Sequence, residues 1–318
     1  MNIRFVIAQL GLLLLVLSGM IVLVALWEAA EVWTGEAGEW AAFKAMTVTA
    51  GIGLSFGALL WGFARGGSTF LGRREALLLV ALSWLVGAVL SALPFCVWTW
   101  MDAQIADSHH PFTRCVDCYF EAISGLTTTG ATVLSNIETL PRGLLLWRAM
   151  THWLGGLGIV VLFVAVLPSL GVGGKKLFHV EAPGPTAPGV RPRIRETARV
   201  LWLIYVGLTI ALTLLLRIFG MSWFDAICHT FATLATGGFS TRNASIGYYD
   251  SIMLQLIIIF FMVLAGTNFG LYYQIFRGRI RQAFTDPELR LYLMLLLISS
   301  VIITIFLVDN QLYVTGRM

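Results

Sequence analysis

The chain has 318 residues, 58% of them hydrophobic and only 12% charged, about half the charged share of a soluble domain. With a mean hydropathy of +0.83 and apolar runs longer than ~18 residues, lipid must cover most of its surface, which excludes an ordinary water-soluble globular protein. The net charge of +4 lies in short basic tracts between apolar spans, where it orients a membrane protein, so the lipid bilayer is the expected partner and nucleic acid is not.

Phe5 to Trp27 is apolar and ends at Glu28 and Glu31, without the short hydrophobic core and small-residue cleavage site of a signal peptide, and reads as a retained first helix. Further spans are expected near Phe43 to Ala64, Ala76 to Trp100, Leu144 to Leu167, Val200 to Phe219, Ile252 to Tyr272 and Leu291 to Val308, giving seven crossings. Asp117 to Thr132 lies between the third and fourth spans, and Asp225 to Ser240 between the fifth and sixth. Both are too short to cross: roughly ten helical residues reach about 15 Å, half the hydrocarbon thickness, so each enters and returns as a re-entrant hairpin. Irregular backbone at that depth is tolerated only inside protein or beside a water-filled cavity. The Gly/Pro-rich stretch Gly171 to Pro192 reads as a linker in which Pro183, Pro185, Pro188 and Pro192 prevent helix.

Placing the amino terminus and the loops after spans two, four and six in the cytoplasm puts fourteen of the twenty-one Lys and Arg residues inside and twelve of the seventeen acids outside. The inside basic set runs from Arg4, Arg65, Arg73 and Arg74 through Lys175, Lys176, Arg191, Arg193, Arg195 and Arg199 to Arg277, Arg279, Arg281 and Arg290. This asymmetry fixes sidedness, and both hairpins then dip inward from the outer face.

Sliding the chain on itself by 108 residues pairs the hairpins, with Asp117 on Asp225, Leu126 on Leu234, Gly130 on Gly238 and Thr132 on Ser240. The repeating unit is helix, half-helix, Gly/Thr turn, helix. The expected organisation is two extra amino-terminal helices (1–72), a first repeat (73–170), a cytoplasmic linker (171–194), a second repeat (195–282) and the first helix of an incomplete third (283–318). Neither turn offers a base or a nucleophile, so catalysis is not expected. Glycine lets successive carbonyls turn toward one axis, and small hydroxyl side chains add oxygen without bulk. Carbonyl rings replace the water of a cation, and the half-helix carboxyl end supplies about half a negative charge beside it. The expected ion-binding set is Thr127, Thr128, Thr129, Gly130 and Ala131 in the first turn with Ala235, Thr236, Gly237, Gly238 and Phe239 in the second, the ligand being the ion alone, with no covalent cofactor.

FEAISGLTTTGATVL (Phe120 to Leu134), LWRAMTHWLGGLGIVV (Leu146 to Val161), PRIRETARVLWLIYVGLT (Pro192 to Thr209) and WFDAICHTFATLATGGFST (Trp223 to Thr241) resemble the TrkH-type membrane subunits of bacterial Trk potassium uptake, within the Trk/Ktr/HKT superfamily. The resemblance covers nearly the whole chain. It implies an all-α polytopic membrane protein with potassium-channel-like repeats, in which four helix, pore-helix, helix units surround one pore and Gly130 and Gly238 are filter glycines. It further implies potassium uptake across the bacterial inner membrane, a homodimer at full length, and docking on a cytoplasmic nucleotide-binding subunit of the TrkA type. In that family the third and fourth units complete the filter, and the 318 residues reach just past the third unit's first helix, so a truncated fragment, conducting nothing alone, is the expected alternative.

Other features have plainer readings beside functional ones. Gly155, Gly156 and Gly158 are read as helix contacts rather than a gate. His152 and His229, ionisable at or near membrane depth, are candidates for function or for structural hydrogen bonds. Asp117 and Glu121 are placed near the outer start of the first half-helix as charge caps that also attract cations. Arg217 and Arg242 are assigned to snorkelling or to the filter rim. The four cysteines, Cys96, Cys115, Cys118 and Cys228, are too scattered for a disulfide scaffold. Cys115 and Cys118 with His109 and His110 nevertheless offer metal-ligand spacing, and a membrane metalloprotein is the rival reading.

Overall fold

In lipid every backbone N–H and C=O must find an internal partner, so long apolar segments become helices. The computed structural model describes residues 3–35, 39–64, 73–102, 110–165, 190–276 and 278–315, and these contain helices and turns with no strand. The linker residues 171–189, His109, Arg65, Lys175, Lys176 and Arg277 lie outside the described residues. In chain order the helices are α1 (Ile3–Thr34), α2 (Trp40–Ala64), α3 (Arg73–Met101), α4 (Cys115–Leu126), α5 (Arg142–Ala165), α6 (Val190–Ile218), α7 (Trp223–Leu234), α8 (Ile252–Ala265), α9 (Phe269–Phe276), α10 (Ile280–Thr285) and α11 (Pro287–Thr315). Among the described residues, stretches of α1, α2, α3, α6 and α11 are long and apolar enough to cross a membrane. Helix α5, at 24 residues, has the length a crossing needs.

The sixth expected span departs from the sequence reading. Ile252 to Tyr272 is broken at Gly266-Thr267-Asn268, leaving the 14-residue α8 and the 8-residue α9. Asn268 explains the break: its side-chain oxygen accepts the Gly270 N–H at 2.9 Å and its carbonyl accepts the Leu271 N–H at 3.0 Å. An Asn that satisfies the first N–H groups of a new helix ends the old one. The linker also ends earlier than expected. Helix α6 begins at Val190, so Pro192 sits in its first turn, where a missing N–H leaves no bond unmade.

The chain divides into two compact units, Met1–Met262 and Val263–Met318. In the second, the Tyr272 hydroxyl donates to Leu264 O at 2.6 Å and the Asn268 amide to Glu288 at 3.1 Å. In the first, α1 packs along α2 so closely that a β-carbon on Gly11 would meet the backbone of Gly57 and Trp61. The buried Leu14, Leu17, Ile21 and Val24 of α1, Met46 of α2 and Phe95 of α3 form one core with Leu144 and Trp147 of α5. Trp147 donates its indole N–H to Ser91 O at 2.9 Å, tying α5 to α3. Glu31 of α1 pairs with Arg142, the first residue of α5, at 2.9 Å.

The two half-helices are each 12 residues long, roughly 18 Å. Helix α7 starts on an N-cap in which the Ser222 hydroxyl oxygen accepts the Asp225 N–H at 3.0 Å and donates to the Asp225 carboxylate at 2.8 Å. Ser222→Ala is expected to lower the stability of the folded chain by about 0.5–2 kcal/mol, read as a lowered unfolding midpoint in detergent. An unchanged midpoint would show that the cap contributes nothing.

Candidate functional site

The carboxyl ends of α4 and α7 are the same structure written twice. After α4, Thr127 N–H donates to Ile123 O (2.8 Å), Thr128 N–H to Gly125 O (3.0 Å) and Thr129 N–H to Ser124 O (2.9 Å). After α7, the residues 108 positions on make the same bonds: Ala235 to Phe231 (3.3 Å), Thr236 to Thr233 (3.0 Å) and Gly237 to Ala232 (2.9 Å). The dihedrals repeat as well, with φ of +55° and +54° at Thr128 and Thr236 and +74° and +93° at Gly130 and Gly238. A β-branched residue at positive φ costs about 1–3 kcal/mol and persists only where its surroundings hold it. That strain stands at the equivalent place in both turns.

The turns touch. A β-carbon on Gly130 would run into the carbonyl oxygen of Gly237, whereas one on Gly238 would meet nothing within 4 Å. Both half-helices stop against consecutive residues of α5: Gly155 lies on the Leu126 carbonyl and Gly156 beside Ala235 and the Tyr205 hydroxyl. The glycines at 155 and 156 therefore serve close contact, as the sequence suggests; Gly158 has open space around it.

Each returning strand is held by its own half-helix. The Ser124 hydroxyl donates to Ala131 O at 2.6 Å, so this carbonyl is turned back toward α4. Glu121 accepts from the Thr132 hydroxyl at 2.8 Å and from Val133 N–H at 3.1 Å. In the second turn Asp225 accepts from the Thr241 hydroxyl at 2.6 Å. Beyond the turns, Asn243 accepts Ile137 N–H at 2.7 Å and donates from its backbone to Glu138 at 3.1 Å, which binds the two exit loops together.

Arg148 of α5, missed by sequence reasoning, joins the two turns. Its side chain is 2% exposed and that of Glu121 fully buried; they pair at 2.5 Å through Nε. A terminal guanidinium nitrogen reaches Ser240 O at 3.2 Å, and the guanidinium carbon lies 3.6 Å from the centre of the Phe239 ring. One turn further along α5, His152 stacks on the same ring with centroids 4.0 Å apart, and a β-carbon on Gly237 would collide with its imidazole. The Phe239 side chain is thus packed behind its strand, against α5. An Arg and a His four residues apart inside an apolar span were the signal that could have found this pair.

Some expected roles change. Glu121 is the seventh residue of α4, too deep for a charge cap, and its carboxylate is committed to Arg148 and the returning strand. Asp117 does sit in the first turn of α4, paired with Arg114 at 3.7 Å. Arg217 closes the end of α6 by donating to Met221 O at 3.3 Å. Arg242 faces Asp225 at 3.9 Å and lies over Tyr248, while buried His229 stands edge-on to Tyr249. Two residues of the rival metal reading, His110 and Cys118, hold the loop before α4. Nδ1 of His110 accepts Phe112 N–H at 3.1 Å, with burial pushing its pKa below the ordinary value. The Cys118 thiol donates to Phe112 O at 3.2 Å. Among the described residues no group of three or more His, Cys, Asp and Glu is placed to hold a metal ion.

The TrkH family of cation transport proteins matches residues 41–314. The chain is 41% identical over 320 residues to the Trk system potassium uptake protein TrkH of Escherichia coli K12, covering all of this chain and 63% of that one. It is 40% identical over 261 residues to the protein of the same name from Vibrio parahaemolyticus, covering 81% of this chain and 52% of that one. The crystal structure of the potassium transporter TrkH from Vibrio parahaemolyticus superposes with a TM-score of 0.77 at 36% identity, over 92% of this chain and 57% of that chain. The chain thus spans less than two thirds of the length of these relatives.

Proposed function

Because the chain belongs to the TrkH cation transport family, we propose that it is the ion-conducting part of a Trk-type potassium uptake system in the bacterial inner membrane. Oxygens of Thr127 to Gly130 and of Ala235 to Phe239 replace the ion's water, and Ala131, its carbonyl held by Ser124, fixes the end of the first strand. The observation that carries this reading is the three repeated hydrogen bonds and the repeated positive φ of two turns 108 residues apart, with Gly130 against Gly237. Two short helices aim their carboxyl ends at that place, where a cation gains most from the helix dipole. Potassium is substrate and ligand at once; no covalent cofactor takes part.

Two turns are half of the four that a potassium-channel-like filter uses, and we assign the other two to further sequence or to a second copy. The charge distribution supports a cytoplasmic amino terminus. The basic residues Arg279, Arg281 and Arg290 then face the cytoplasm, where a TrkA-type nucleotide-binding subunit docks on a homodimer. The test is rescue of a potassium-uptake-deficient bacterium at low external potassium, by the 318-residue chain and by a version extended through any coding sequence beyond residue 318. Rescue by the extended form is expected, and rescue by the short chain would assign the remaining turns to further copies. Failure of both, with both inserted in the membrane, would overturn the proposal.

A further inference from the structure

The short helices α9 and α10 join the end of α8 to α11, whose stretch Pro287–Leu307 is long and apolar enough to cross a membrane. Two hydroxyls tie this joint to the last turn of α8: Tyr272 of α9 donates to Leu264 O at 2.6 Å and Tyr292 of α11 to Val263 O at 3.4 Å. Helix α10 buries one side and bares the other. Ala283 is 1% exposed, whereas Ile280 and Phe284 are 53% and 63% exposed and, being four residues apart, share one face. Arg281, the next position round from Ile280, is exposed, and so is Arg279, the N-cap residue of α10. Exposed Arg290 of α11 reaches the opposite end, its Nε donating to Phe284 O at 3.3 Å. One bare surface thus carries two large apolar side chains with an arginine at either end and a third between.

The acids nearby are engaged elsewhere. Asp286 accepts the Glu288 and Leu289 N–H groups at 2.9 and 3.2 Å, capping α11, and Glu288 accepts from the Asn268 amide at 3.1 Å. Among the described residues none of Arg279, Arg281 and Arg290 belongs to an ion pair. Apolar side chains beside unneutralised arginines suit the boundary between headgroups and acyl chains, where the first enter the acyl region and the second stay among the phosphates. A planar guanidinium offers paired N–H donors that match two phosphate oxygens. We propose that Ile280, Arg281 and Phe284, with Arg279 and Arg290, form a binding site for an anionic phospholipid of the inner leaflet, the side that the charge distribution gives to this edge. The bound lipid pins α10 at headgroup depth and so fixes the joint between α8 and α11, whichever ion the pore conducts.

The test titrates the whole chain, washed free of lipid in a non-ionic detergent, with phosphatidylglycerol or phosphatidylcholine and counts bound lipid by native mass spectrometry. The wild-type chain is expected to hold phosphatidylglycerol about tenfold more tightly than phosphatidylcholine. Arg279→Gln combined with Arg281→Gln is expected to weaken phosphatidylglycerol binding about tenfold and to leave phosphatidylcholine binding nearly unchanged. Phe284→Ser, with every arginine kept, is expected to weaken both lipids by a smaller factor. Arg4→Gln combined with Arg74→Gln removes the same charge from exposed positions on α1 and α3 and is expected to change the affinity less than twofold. Equal affinity of the wild-type chain for the two lipids would overturn the proposal, a result that does not depend on how any variant folds. So would equal weakening in the two double variants, which means attraction by overall charge, and so would unchanged binding in the Arg279, Arg281 variant, which leaves this face to a protein partner.

Discussion

Arg148→Met is expected to lower folding stability by about 3–5 kcal/mol, the usual cost of stranding one member of a buried ion pair. Glu121 would keep only the Thr132 hydroxyl and the Val133 N–H for a carboxylate with no exposed surface. Adding Glu121→Gln removes the stranded charge, so the double variant should recover much of the loss, since neutralising both partners is often nearly harmless. Denaturant unfolding in detergent measures both. The double variant still lacks the bond to Ser240 O and the guanidinium over Phe239. Impaired uptake should therefore persist in the extended chain even where stability returns. A single variant as stable as the wild type would show that the pair holds nothing together.

The second large effect separates two glycines that the sequence makes equivalent. Both Gly130 and Gly238 have positive φ, so alanine at either pays a backbone penalty of about 1–2 kcal/mol. Only at Gly130 would the new methyl also strike the neighbouring turn, at the Gly237 carbonyl. In flux assays on the extended chain, Gly130→Ala is expected to destroy the preference for potassium over sodium, and Gly238→Ala to weaken it by a smaller factor. Equal losses would mean that backbone conformation alone matters, and unchanged preference in both would remove these glycines from the filter.

The repeat was legible because it is local. The spacing of Leu126, Gly130 and Thr132 from Leu234, Gly238 and Ser240 depends on order along the chain, and both half-helices end where that register puts them. What joins the repeats was not legible, because Arg148 meets Ser240 across 92 positions and no periodicity encodes such a pairing. The role of Glu121 is hidden for a related reason. Near the start of a short helix a carboxylate reads as a cap, and only the position of α5 shows that a buried cation awaits it. The break at Asn268 and the helical Pro192 are of another kind, set by which N–H groups still need partners, which neither an apolar run nor a proline displays by itself.

The register that repeats the turns does not repeat their support. The positions 108 residues after Arg148 and His152 are Leu256 and Phe260 of α8, 52% and 58% exposed, and the mate of Glu121 is His229. In a ring of identical subunits one substitution alters every junction at once, and an ion on the axis feels four equal neighbours. Here the two turns are joined in a single chain, and the support between them includes a guanidinium where the position 108 residues on has a leucine. In the pore we propose, the supports of the first two turns therefore differ, and each is free to be adjusted without disturbing the other.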